Sequence, residues 1–192
     1  MPTKSRTMKP AATKSRAGKT KKPQFDRRAE DVGNIVSLEH TNLLVPDQQV
    51  ATAFYIAALG MTRDPYMMTG LGVMWANIGR NQIHLPTRGT QVLRGHTGLV
   101  IGDYDALAAR LKAAPDILKG TKFAWKQRND RIDVTCPWGN KYRCFAPDGR
   151  FGPMPMGIPY VCFDVPKGTA DAIARFYAEI IGAPATLGEF DD

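Results

Sequence analysis

A chain of 192 residues with 43% hydrophobic side chains can bury one full core, and no apolar run approaches the roughly 18 residues that span a membrane. The net charge of +8 sits at one end: residues 1–22 carry eight Lys or Arg and no Asp or Glu, while the remainder balances 18 basic against 18 acidic residues. The three cysteines, Cys136, Cys144 and Cys162, are odd in number and lie in or beside predicted strands, which argues against a disulfide framework and fits reduced core thiols in a cytoplasmic protein.

Met1–Lys22 has no Leu, Ile, Val or aromatic residue. It can bury too little to offset the entropy of ordering, so residues 1–33 are expected to form a disordered basic tail. Such a tail can bind nucleic acid through residues 1–22, act as an import signal, or only add solubility. It lacks the apolar region of a secretory signal.

From Ile35 the pattern changes. Leu38–Val45 alternates as a strand, with His40, Asn42 and Leu44 on one face and Thr41, Leu43 and Val45 on the other. Asp47 is placed to cap a helix over Gln48–Leu59, which carries Val50, Phe54 and Ala57 on one side and stops at Gly60. Strands are expected at Thr62–Pro65, Val73–Ile78 and Gln82–Pro86, the last two joined by Gly79-Arg80-Asn81. The unit is β-α-β-β-β.

A second copy follows over residues 94–150. Thr97–Ile101 is a strand, and Asp103 opens a helix bearing Tyr104, Leu107 and Leu111. Lys122–Arg128, Arg131–Cys136 and Lys141–Phe145 complete it, with Asn140-Lys141-Tyr142-Arg143 aligning on Asn81-Gln82-Ile83-His84. A third copy starts after the Pro/Gly/Met-rich linker Asp148–Pro159, with a strand over Tyr160–Val165 and a helix over Ala170–Ile181. Phe54-Tyr55 and Gly60 return there as Phe176-Tyr177 and Gly182. The expected division is a domain of two modules, 34–93 and 94–150, and the start of a second, incomplete domain over 151–192. Three strands expected of the third module are missing, which points to a fragment of a longer four-module protein or to a truncated gene product.

Two of the three histidines open the same phrase: His40-Thr41-Asn42-Leu43-Leu44-Val45-Pro46-Asp47 and His96-Thr97-Gly98-Leu99-Val100-Ile101-Gly102-Asp103. The third, His84, lies in the last strand of the first module. Neutral imidazole is a common ligand of transition metals. By strand parity all three histidines face away from the core residues of their strands, which directs them to one side of the sheet.

These paired modules, with His40-Thr-x-Leu-x-Val-x-Asp47, Phe54-Tyr55, Leu59-Gly60, Asn81-Gln82-Ile83-His84-Leu85-Pro86 and Pro147-Asp148-Gly149, resemble the vicinal oxygen chelate superfamily of glyoxalase I, extradiol dioxygenases and the fosfomycin and bleomycin resistance proteins. The resemblance implies an α+β fold in which paired βαβββ modules form a cupped mixed sheet with helices outside. It implies ligand positions on the first and last strand of each module, which fall on His40, His84, His96 and Arg143. It also implies one divalent metal (zinc, iron, nickel, cobalt or manganese), a small-molecule substrate, and a homodimer through module pairing.

Arginine stays protonated and cannot ligate a cation, so Arg143 departs from the family's glutamate. Its fork suits a carboxylate or phosphate, or an enolate. Asp133, opposite in parity to Ile132 and Val134, faces the cup; it is a candidate proton carrier, or a partner of Arg131 or Arg143. Trp75, Met74 and Phe145 are either cup wall or core, and Tyr55 is packing. Three functions follow: a metal-dependent lyase, isomerase or dioxygenase acting on a small, oxygen-rich, anionic molecule; a non-catalytic small-molecule-binding protein; or an inactive scaffold whose basic tail binds nucleic acid.

Overall fold

The computed structural model describes residues 37–67, 70 and 72–188. The expectations for residues 1–33, disorder and nucleic-acid binding, lie outside them.

The first module runs β1 (His40–Asn42), helix α1, β2 (Thr62–Arg63), β3 (Val73–Ile78) and β4 (Asn81–Pro86). The carboxylate of Asp47 accepts from the N–H groups of Gln49 and Val50, as expected of a cap, and α1 starts over Gln48–Ala51. It then widens into a π-helix over Thr52–Ala58, which carries Phe54 and Tyr55 into the core. The sheet order is β1-β4-β3-β2, with β1 parallel to β4 and the other pairs antiparallel.

The second module repeats this with β5 (Gly95–Val100), helix α2 (Tyr104–Lys112), β6 (Ala124–Gln127), β7 (Ile132–Thr135) and β8 (Lys141–Phe145). Asp103 makes no side-chain cap bond, and its carboxylate pairs with Arg110 instead. The third repeat adds β9 (Val161–Phe163) and helix α3 (Ala170–Arg175), which continues as a π-helix over Phe176–Ile181. β9 joins the second sheet, whose order is β6-β7-β8-β5-β9, antiparallel to β5. Two mixed sheets of four and five strands with three helices make an α+β fold.

One core runs through the first two modules. At their seam Phe54 packs against Phe123 and Tyr142, and the buried hydroxyls of Tyr55 and Tyr142 share a 2.8 Å hydrogen bond. Burial drives the pKa of both phenols far above the ordinary range, so both remain neutral. Cys136 and Cys144 are buried and Cys162 is half-buried, all three as free thiols. Among the described residues no helix is long and apolar enough to cross a membrane.

The segment expected as a linker is packed. Asn81 is the reason: its side chain donates to the Leu38 carbonyl, which leads into β1, and accepts from the Ile158 N–H at 2.8 Å, which leads into β9. Its aligned residue Asn140 binds the chain that enters β5 in the same way, accepting from Leu93 N–H and donating to Gln91 carbonyl. Gly157 bridges to Val100, and Ile158 is buried. Residues 154–163 therefore pack onto the first two modules.

Candidate functional site

The face of each sheet opposite the core carries the candidate residues. In the first module, register puts Asn42 beside His84 and His84 beside Trp75. The His84 ring stacks on Trp75 with centroids 4.0 Å apart, and His40 meets both at 5.2 Å from Trp75 and 6.4 Å from His84. Burial and then the neighbouring His40 lower the pKa of His84 below its ordinary value, so it is neutral at pH 7. The Nδ1 of His40 pairs with the carboxylate of Glu39. Beside them Gln82 donates to Asp64 at 2.8 Å and to Asn77 at 2.6 Å. The N–H groups of Met67 and Tyr66 hold the Asp64 carboxyl below the usual range. This face is open: His40 and Asn42 are exposed and His84 is half-buried. Met74 is core rather than wall, while Trp75 lines the face.

In the second module the equivalent face is covered. His96 keeps only 5% of its surface exposed. Tyr160 stands over it, with Oη 3.3 Å from His96 Nε2. Phe145 and Phe151 pack around the Tyr160 ring, and Arg150 lies over Phe145. Gly98 makes room for this, since a Cβ there would run into the Tyr160 ring. Burial, then the nearby Arg143 guanidinium, push the pKa of His96 down to about 4. Arg143 lies on β8 directly across from Gly98 and from Asp133.

Asp133 is a structural partner of arginine rather than a poised proton carrier. It accepts from Arg128 Nε and Arg131 Nε, each at 2.7 Å. Burial pushes its pKa up, but the two guanidinium groups outweigh that and hold it below the usual range. Arg131 and Arg128 both donate to it, and Arg143 lies across from it on β8.

The donor set decides whether a divalent cation fits. His40 and His84 are neighbours on one face, but metal–nitrogen bonds of about 2.0–2.1 Å bring two ligating ring centroids to roughly 5–6 Å of each other, so these rings, 6.4 Å apart, would share an ion only after one side chain shifts. His96 does not join them. Its Nε2 meets Tyr160 Oη, and among the described residues no group of three or more His, Cys, Asp or Glu side chains is placed to hold a metal. The expected three-histidine set is thus divided, two on the open face and one beneath Tyr160. Sequence reasoning missed Tyr160. The signal lay in the third repeat, where Tyr160-Val161-x-Phe163-x-Val165-Pro166 lines up with His40-Thr41-x-Leu43-x-Val45-Pro46 and puts a tyrosine at the histidine position.

No protein-family model and no curated protein matches the chain. Solved structures do. Fosfomycin resistance protein FosX from Listeria monocytogenes is 18% identical, covering 59% of this chain and 92% of its own, with a TM-score of 0.45. Lactoylglutathione lyase from Agrobacterium tumefaciens is 16% identical over 58% of this chain and 94% of its own, with a TM-score of 0.40. A member of the glyoxalase/bleomycin resistance protein/dioxygenase superfamily from Sphaerobacter thermophilus is 17% identical over 58% and 98%, with a TM-score of 0.40.

Proposed function

We propose that this chain is a metal-dependent enzyme of the vicinal oxygen chelate type, a glyoxalase-like lyase or isomerase or a dioxygenase, acting on a small, oxygen-rich, anionic molecule. The observation that carries this reading is the pair His40 and His84, neighbours on the open face, on the first and last strands of one module. A divalent cation held there would supply Lewis-acid polarisation of paired substrate oxygens. The chain's own groups divide the remaining work. Trp75 fixes the His84 ring by stacking and gives the substrate an apolar wall. Gln82, tied to Asp64 and Asn77, is a fixed polar group beside the metal pair. Arg143 would attract and orient an anion, with Arg131 and Arg128 adding positive charge on the same sheet. Asp133 serves by holding those two arginines in place.

One observation favours a second reading, a binding protein without catalysis: Tyr160 already engages His96, the third candidate ligand. Calorimetry of the metal-free full chain with zinc, manganese and cobalt separates the two. The enzyme reading expects binding at micromolar or lower concentration, weakened at least tenfold by His40→Ala and by His84→Ala. Arg143→Glu is expected to weaken anion binding. If wild type takes up no divalent metal at micromolar concentration, the binding-protein reading replaces the enzyme.

A further inference from the structure

α3 and its π-helical continuation run from Ala170 to Ile181, and none of their residues is buried. Ile173, Phe176, Tyr177 and Ile180 follow one another at the spacing of an apolar helix stripe, and all four stand exposed. Val92 and Phe163 extend the same surface, at 47% and 56% exposure. With Ile173, Tyr177, Leu93 and Val165 they line an open groove of about 330 Å³. Among the described residues eleven large apolar side chains are exposed, and six of them are gathered here. Apolar residues scattered singly over a surface are ordinary, but a concentration of this kind marks a contact surface.

The first repeat shows what such a helix needs. Phe54 and Tyr55, the counterparts of Phe176 and Tyr177, pack against Phe123 and Tyr142 of the second module. That seam is filled, in this chain and in any copy of it. A helix as short as α3 is marginal alone in water, so its apolar stripe calls for cover. The large apolar surface that a second copy still has free is its own α3. The helix suits such a pairing. Ala172, Phe176 and Ile180, four residues apart, share one face and are all exposed. In an antiparallel pair with its twofold axis at Phe176, Ala172 lies level with the partner's Ile180, small against large on both sides of the axis. Arg175 and Glu179 flank this row, which brings each Arg175 near the partner's Glu179. An isologous contact of this kind closes on itself.

We propose that α3 packs antiparallel against α3 of a second copy of this chain, about a twofold axis at Phe176, in a reversible homodimer that needs no metal. The inference is independent of the metal reading above. An aromatic side chain carries roughly 150–250 Å², so the exposed fractions leave on the order of 500 Å² of apolar surface on the patch of each copy. Covering both patches removes about 1,000 Å² from water, close to the roughly 1,200 Å² at which stable interfaces begin. A dimer of this size dissociates on dilution, and the dilute chain keeps Phe176 exposed.

The experiment is analytical ultracentrifugation of the full chain in the presence of a chelator, from about 1 μM to about 1 mM. The expected result is monomer at the low end and dimer at the high end. Phe176→Asp buries a charge on the axis and is expected to weaken the dimer at least 100-fold, with far-ultraviolet circular dichroism and the melting temperature of the dilute chain unchanged. Ile180→Ser, a milder change, is expected to weaken it about tenfold. The register has its own test. Phe176→Cys should form a disulfide-linked dimer under mild oxidation, whereas wild type and Asp171→Cys, on the far side of the helix, should not. A chain that stays monomeric up to about 1 mM overturns the proposal. So does a dimer indifferent to Phe176→Asp, which would place the interface elsewhere. Monomer that instead binds phosphatidylcholine vesicles through Phe176 also overturns it, in favour of a lipid surface.

Discussion

The first and second repeats carry the same opening phrase and put it to opposite uses. His40 lies on an open edge strand; its counterpart His96 is buried under Tyr160, within a strand paired on both sides. A second pair of counterparts behaves in the same way. Phe54 and Tyr55 are buried at the seam of the first two modules, whereas Phe176 and Tyr177 of the third repeat stand 50% and 42% exposed, with Ile180 at 68%. Local sequence sets which side chains an element offers, and the neighbour present in the fold decides whether they become core, ligand or surface.

The largest expected effect tests the Phe-Tyr contrast. Phe54→Ala empties a packed site and is expected to cost about 3–5 kcal/mol, against no more than about 1 kcal/mol for Phe176→Ala, read by denaturant unfolding. Equal costs would show that the third repeat is covered as fully as the first. The histidine-phrase contrast is tested at its third position. Gly98→Val must push Tyr160 off its face and is expected to cost about 1–3 kcal/mol, while the counterpart change Asn42→Val, on the open strand, stays within about 0.5 kcal/mol. A smaller effect isolates the seam: Tyr142→Phe leaves the Tyr55 hydroxyl buried without its partner, at about 1–2 kcal/mol, whereas Tyr177→Phe is expected to be silent in the same thermal melts.

The smallest effect is one of pH. The unfolded chain takes up a proton on His96 near the ordinary 6.5, while the folded chain holds it off until about 4. The folded state is therefore unpenalised above 6.5 and loses stability progressively as pH falls from 6.5 towards 4. The melting temperature of wild type should fall across that window more than that of His96→Gln. Identical slopes would mean that Tyr160 does not shield His96 in solution.

Much of this was legible in the sequence, because repetition and strand parity are local properties. The limits of β3 and β8 and the cap at Asp47 follow from alternation and side-chain chemistry alone. The outward direction of His40, His84 and His96 follows from the period of two. The alignment of Asn81 with Asn140 was visible too, but its meaning was not, since each clamps chain distant in sequence. A composition rich in Pro, Gly and Met suggested a linker at 148–159, and nothing local could show that Asn81 and β5 would receive it. Only the tertiary structure decided which histidines share a face with open space. The nearness of His40 to His84, burial of His96 under Tyr160 and the pairing of Asp133 with Arg128 and Arg131 depend on distances between strands, and distances between strands are set by packing, which no single stretch of sequence contains.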